Sequence, residues 1–258
     1  VVLARLALIL GLSILRKPKT VKKAYTDFVS VLLPAHNEEK TVGRVVREAK
    51  KYGKVIVIDD ASTDNTSQAA RKAGAFVLRH SVNRGLGSAL RTGFKEALKR
   101  KENIIITLDA DGQHNPSEIR HFVSKINEGY DFVLGQRNLR AYPFVKKFGN
   151  FFLNNITNFV SGTKLKDTES GFRAFRADAL RKMYLKADRY EIAVEIVFEV
   201  GRNKLRATNV PISSPVYVKG VGVMDGVKNF RYLLSRRKRS WRGYIEDFKY
   251  VMRKNIDG

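Results

Sequence analysis

The sequence predicts an α/β fold built on a mainly parallel sheet, and three observations carry that reading. Strand-like apolar runs alternate with helix-spaced segments from Asp27 to Gly135. The polar clusters of this region fall just beyond the carboxyl ends of the runs, where open parallel sheets bind ligands. With 43% hydrophobic and 10% aromatic residues among 258, the chain can bury a substantial core.

Residues 28–33 (FVSVLL) read as a buried strand closing at Pro34. Asn37 to Lys51 has helical spacing, with Val42, Val45, Val46 and Ala49 on one side. Lys54 to Ile58 is a second strand ending in Asp59-Asp60, and Ser62-Thr63-Asp64 is suited to cap a helix running through Ala73. Ala75 to Leu78 is a third strand, Gly85 to Arg100 a helix, and Asn103 to Leu108 a fourth strand that ends at Asp109. Pro116, favoured in a first helical turn, opens a helix to Asn127, and Asp131 to Leu134 is a fifth strand. Beyond Gly135 the alternation stops. Tyr142 to Val160 reads as an amphipathic, aromatic-rich helix, and Leu165 to Arg176 as a polar loop or short strand. Asp178 to Leu185 and Glu191 to Asn203 are helical, and Leu205 to Ile212 is a strand. Three segments are expected: an apolar and basic N-terminal segment (1–26), a catalytic domain (27–215) and a basic amphipathic C-terminal region (216–258).

A net charge of +24 suits nucleic acid, an anionic membrane surface or phosphorylated substrates as partners. The absence of cysteine excludes disulfides, thiolate metal sites and cysteine nucleophiles. Val1 to Leu15 is apolar except for Arg5 and Ser13, and a basic stretch follows. It fits a helix lying on a membrane, the remnant of a longer spanning segment, or a helix packed on the domain. At the other end, Arg236-Arg237-Lys238-Arg239 precedes Trp241, Tyr244 and Phe248, a pattern suited to anionic headgroups or to plain solvation.

The chemistry concentrates at the strand ends. Asp109-Ala110-Asp111-Gly112-Gln113 supplies two carboxylates and an amide as hard oxygen ligands, the kind that Mg²⁺ and Mn²⁺ prefer. Asp-Gly is also a common turn pair, so the segment alone leaves a solvated turn open; its place among the other polar strand ends favours the metal. Pro34-Ala35-His36-Asn37-Glu38-Glu39 closes the first strand, where Asn and Glu can bond a base or ribose and a helix N-terminus favours an anion. Asp59 and Asp60 can accept from a nucleobase or a ribose hydroxyl, and helix capping accounts for part of the Ser62-Thr63-Asp64 run. Arg84 and Gly85 open a glycine-rich helix start that lacks the lysine and hydroxyl of a Walker loop. His36 and His114 lie inside binding motifs, whereas His80 and His121 read as structural or exposed.

Taken together, PAHNEE (34–39), DDASTDNT (59–66), NRGLGSALRTGF (83–94), DADGQHNP (109–116), GQR (135–137) and DTESGFRAFR (167–176) resemble the family 2 glycosyltransferases of the GT-A fold, a nucleotide-diphospho-sugar transferase fold. Within that family the chain looks most like the dolichyl-phosphate mannose and glucose synthases. The resemblance implies that Pro34, Ala35, Asn37, Glu38, Asp59 and Asp60 hold the nucleoside, with Arg84, Gly85, Asp109 and Ala110 also on the nucleotide-sugar side. It implies Mg²⁺ or Mn²⁺ on Asp109, Asp111 and Gln113. Asp111, Arg137 and Arg173 become the candidate catalytic residues, and Lys146, Lys147, Ser170 and Lys219 the candidates for the acceptor phosphate. The expected reaction is inverting transfer of a hexose, from a donor of the GDP-mannose or UDP-glucose type, to a polyprenyl (dolichyl) phosphate. The expected place is a membrane surface, with the catalytic domain cytoplasmic.

Three other readings compete. A hydroxyl acceptor on a glycan or glycolipid would need a carboxylate base, for which Glu169 or Glu191 stands available. A nucleic-acid-binding protein would exploit the charge, but acidic strand ends repel a phosphate backbone and no common recognition motif is present. A sugar nucleotidyltransferase would carry a glycine-rich phosphate loop after the first strand, where this chain has PAHNEE.

Overall fold

In a computed structural model, residues 28–138, 144–213 and Tyr232 are described; for residues 144–146 and 148 this covers the backbone alone. Lys219, the Arg236–Arg239 run and the expected segments 1–26 and 216–258, Tyr232 excepted, lie outside the described residues.

The β-branched run at the start folds as expected, but β1 (Val29–Ala35) carries Pro34 inside the strand instead of ending before it. Pro34 is accommodated opposite Ile58 of β2 (Lys54–Asp59) in a parallel register. Between them lies α1 (Val42–Ala49), which buries Val42, Val45, Val46 and Ala49 as the spacing requires. It starts later than its periodicity suggests, because residues 36–41 form the turn leaving β1. Then follow α2 (Thr66–Lys72), β3 (Phe76–Arg79), α3 (Leu86–Lys99) and β4 (Ile104–Thr107). A short 3-10 turn (Pro116–Glu118), capped by the Asn115 side chain accepting from Ser117 N–H, leads into α4 (Ile119–Asn127). β5 (Phe132–Arg137), α5 (Phe144–Ser161), β6 (Arg173–Arg176), α6 (Ala177–Lys182), α7 (Ile192–Arg202) and β7 (Ala207–Ile212) complete the order.

The seven strands form one sheet in the order β3-β2-β1-β4-β6-β5-β7. β1 pairs in parallel with β2 and β4, β2 with β3, and β5 with β7. β6 lies antiparallel between β4 and β5. The sheet is therefore mainly parallel, as expected, with one reversed strand from a stretch whose polarity left loop and strand open.

Both faces are covered, so the β1 and β4 cores read as continuous apolar runs rather than as alternating ones. Val29, Val31 and Leu33 pack with α1, α2 and α4 on one side. Leu32, Ile56 and Ile105 pack with α3, α6 and α7 on the other. Phe175 of β6 sits at the centre of the second layer, its ring 5.2 Å from Phe94 and 5.1 Å from Phe132. Helix α5 packs on α7 through Leu153 and Val194. Among the described residues, no helix is long and apolar enough to cross a membrane.

Phe175→Ala should lower unfolding free energy by about 3–5 kcal/mol, because the cavity lies between two rings that cannot both collapse into it. Urea denaturation checks this; a loss near zero would mean that the layer repacks.

Candidate active site

The carboxyl ends of β1, β2 and β4 meet on one edge of the sheet, and each ends in a polar turn. The first two turns are latched to each other. Asn37 N–H donates to Ser62 Oγ (2.9 Å), while Asn37 Oδ1 accepts from Thr63 N–H (2.8 Å). Glu38 N–H donates to Thr66 Oγ1 (2.7 Å), and Glu39 Oε2 accepts from Asn65 N–H (2.8 Å). Both turns pass through the left-handed region, Asn37 at φ 58° and Ala61 at φ 58°. Asparagine tolerates that conformation; for alanine the surrounding bonds must impose it.

The two aspartates at the end of β2 turn inward. The Asp59 carboxylate is fully buried and accepts from Ser62 N–H (2.8 Å) and from Ser67 Oγ, with Arg79 Nε at 3.7 Å. Burial alone would raise its pKa, but the Ser62 and Ser67 bonds, with Arg79, hold it below its ordinary value. Asp60 accepts from Arg84 N–H (2.9 Å) and Gly85 N–H (2.7 Å), and His80 Nδ1 lies 2.7 Å from it. Both aspartates therefore brace the rim, and Asp60 fixes the turn that starts α3. His80 is buried and structural; its Nε2 lies 2.9 Å from Thr92 Oγ1. The glycines of that turn serve protein packing: a Cβ at Gly85 or Gly87 would run into the backbone carbonyl of Asp188 or Ala187. The Arg84 side chain itself is exposed, and Pro34 and Ala35 line the strand end.

At the end of β4, Asp109 keeps 39% of its side-chain surface open, whereas Ala110 is buried beneath it. His114 Nε2 lies 3.2 Å from Asp109 Oδ2, and the His114 ring leans on Phe172. Phe172 in turn stacks on Phe122 at 4.0 Å. Burial would raise the Asp109 pKa, but His114, Arg173 and Arg137 together hold it below its ordinary value. Asp111 goes the other way: burial first, and the Asp109 charge second, push its carboxyl up. Gln113 donates from its backbone N–H (2.9 Å) and from Nε2 (2.7 Å) to Asp111, fixing that carboxylate. Two hard carboxylates crowded into one cleft, each raising the cost of the other's charge, fit a divalent cation. Asp109 and Asp111 could hold it, with Gln113 as orienting partner through its nitrogen and as a ligand through its oxygen.

The segment before β6 supplies residues that only tertiary structure could reveal. Asp167, buried at φ 57°, receives Arg137 Nε and Nη2 at 2.7 Å each, plus Arg137 N–H at 2.9 Å. Gly171 backs directly on the Asp109 carboxylate, with no room for a Cβ. Arg173, only 2% exposed, is buried close to Asp109 and does not open to solvent. Burial pulls its pKa down to about 10, while Glu169, Asp109 and Asp167 oppose the fall, so it remains a cation at neutral pH. Ser170 is likewise buried. The structure thus brings Arg137 and Asp109 to one site, with Arg173 and Ser170 buried. Glu191 precedes α7, its carbonyl accepting from Glu195 N–H.

Beside Arg137 opens a cavity of about 660 Å³ lined by Arg137, Lys147, Asn150, Phe151, Lys166 and Asp167, among others. Its basic lining suits a phosphate group. Lys146 lies on the same helix, α5.

Residues 30–185, more than half of the chain, match the family described as "Glycosyl transferase family 2". The chain is 33% identical over 238 residues to the UDP-N-acetylglucosamine–dolichyl-phosphate N-acetylglucosaminyltransferase of Methanococcus voltae, covering 80% of this chain and 94% of that protein. It is 30% identical over 215 residues to the undecaprenyl-phosphate mannosyltransferase of Micrococcus luteus, covering 77% and 88%. Its fold matches glucosyl-3-phosphoglycerate synthase from Mycobacterium tuberculosis, solved with Mn²⁺, uridine diphosphate and phosphoglyceric acid, with a TM-score of 0.67 at 20% identity over 83% of this chain and 80% of that one.

Gly171→Ala should displace Asp109 and weaken Mn²⁺ binding in the presence of a nucleoside diphosphate by about tenfold or more, at a stability cost of about 1–3 kcal/mol for overpacking. Calorimetric Mn²⁺ titration beside a thermal melt checks both. Unchanged Mn²⁺ affinity would mean that the Gly171 contact does not position Asp109.

Proposed function

This chain belongs to glycosyl transferase family 2, and we propose that it moves a hexose or N-acetylhexosamine from a nucleotide-sugar donor to a polyprenyl phosphate at a membrane surface. The observation that carries the reading is the carboxylate pair Asp109 and Asp111, electrostatically coupled at the end of β4 on the same sheet edge as the latched turns of β1 and β2. Relatives named for transfer to dolichyl phosphate and undecaprenyl phosphate support the acceptor class. Their sugars differ, so the donor is proposed as UDP- or GDP-linked, with the sugar to be found by assay.

In the proposed reaction, an oxygen of the acceptor phosphate attacks the anomeric carbon. The bond from that carbon to the donor's diphosphate breaks, the electron pair leaves with the nucleoside diphosphate, and the configuration inverts. A phosphate acceptor is anionic already, so no strong base is required. What the protein must do is bring two phosphorylated substrates together against their repulsion. Arg137, locked by its bidentate pair with Asp167, lines the cavity and lies near enough to Asp109 to favour its charge, so it links the two sides. Lys147 and Lys166 add charge on the acceptor side; Lys146 and Lys219 remain proposed for that side, whereas buried Ser170 would act only by supporting the wall. Asn37, Glu38 and the Arg84-Gly85 turn shape the nucleoside side, braced by Asp59 and Asp60. Arg173 acts through Asp109 as a positioning residue. Asp109 and Asp111 would hold Mg²⁺ or Mn²⁺, which would supply positive charge against the departing diphosphate.

Labelled UDP-N-acetylglucosamine, UDP-glucose and GDP-mannose should be incubated separately with polyprenyl phosphate and Mn²⁺. One donor should give a labelled lipid, and Asp111→Ala should lower that rate by at least about a hundredfold with an unchanged circular dichroism spectrum. Near-normal transfer by the variant would sink the metal role assigned to Asp111.

A further inference from the structure

Helix α5 is inverted relative to the other helices in where it keeps its aromatic residues. Leu153, Thr157 and Ser161 face the protein, against α7. Phe151 and Phe152, large apolar side chains, are 68% and 57% exposed. Asn155 and Phe159 are also exposed. At 100° per residue these four positions fall within an arc of about 100°, opposite the packed stripe. A soluble protein does not ordinarily turn such a stripe to water. The sequence around the helix is basic: from Phe132 to Lys166 there is no acidic residue, and Lys147, Lys164 and Lys166 are exposed; Asp167, which follows and lines the cavity, is buried and paired with Arg137. Phe151 belongs both to the outward arc and to the lining of the basic cavity.

We infer that the outward face of α5 is the surface by which this protein lies on an anionic lipid bilayer, with Phe151 and Phe152 seated among the acyl chains and the flanking lysines at headgroup depth. Apolar area supplies the insertion and the uniform positive charge supplies the attraction, the two components of interfacial helix binding. Continuity through Phe151 would let a membrane-held phosphate reach the cavity along the bilayer surface. That consequence rests on the functional reading; the docking face does not.

The chain lacks cysteine, so a single one can be introduced as a probe. In the full-length protein, Asn155→Cys on the outward arc and Gln68→Cys on α2, in the opposite layer, would each carry the environment-sensitive dye NBD. They would be mixed with vesicles of phosphatidylcholine alone or with about 30% phosphatidylglycerol. The Asn155 label should brighten and shift to the blue on the anionic vesicles, and the Gln68 label should not. Phe152→Glu should weaken co-sedimentation with those vesicles by about tenfold or more. An Asn155 label that stays aqueous, with Phe152→Glu binding as the wild type does, overturns the inference. So does a blue shift without vesicles accompanied by a dimer in analytical ultracentrifugation, which would assign the face to a second copy, or by a monomer, which would assign it to another segment of this chain. Nucleoside diphosphate binding, measured without lipid, separates the two proposals: its loss in the wild type contradicts the functional reading and leaves the docking face standing.

Discussion

Two carboxylates two positions apart, at the end of a strand buried on both faces, repel each other, and much of the site is arranged around that repulsion. Asp109 stays ionised because His114 lies against it and two guanidinium groups, Arg173 and Arg137, stand close. For Asp111, His114 and the Gln113 hydrogen bonds favour the charge, but burial and the Asp109 carboxylate outweigh them. A divalent cation would relieve that imbalance for both groups at once. The cost of ordering the pair is met in advance by the fold, which is what preorganisation at a charge-transfer site requires.

The surrounding architecture transmits order toward that pair. Asp60 holds the Arg84-Gly85 turn, and the glycines there let the 187–188 segment pack against the start of α3. Arg91 bonds the carbonyls of Lys186 and Ala187, while Glu195 receives the backbone N–H groups of the same two residues (2.9 Å each). Tyr232 reaches the other oxygen of that buried carboxylate (2.5 Å). Residues remote in sequence are thus tied through fully bonded carboxylates, which cost little to bury when their bonds are satisfied and a great deal when they are not.

How much of this was legible in the sequence depends on whether a signal is local. The β-branched runs and the valine spacing of α1 predict their elements because periodicity is a property of neighbouring residues. The strand-end placement of Asp109 and Asp111 was legible for the same reason. The inward turn of Asp59 and Asp60 was not, since an aspartate at a strand end reads alike whether it meets a ligand or braces a loop. β6 was ambiguous because its polar approach, residues 165–172, carries site residues, and its pairing partners lie about 40–70 residues away in β5 and β4. Asp167 as the clamp of Arg137, and Gly171 as the floor under Asp109, depend on that antiparallel insertion and have no local signature. The aromatic content of α5 was visible, but which side of the helix meets water emerges only from its packing on α7.

The central claim is that the strand-end cleft binds a nucleoside diphosphate through a divalent cation. It is tested most directly by titrating UDP and GDP calorimetrically into the wild-type protein, once with Mn²⁺ and once with EDTA. At least one of the two should bind, and chelation should weaken it by about tenfold or more, as expected where a cation neutralises the diphosphate. Binding of neither nucleotide, or equal affinity with and without the metal, would contradict it.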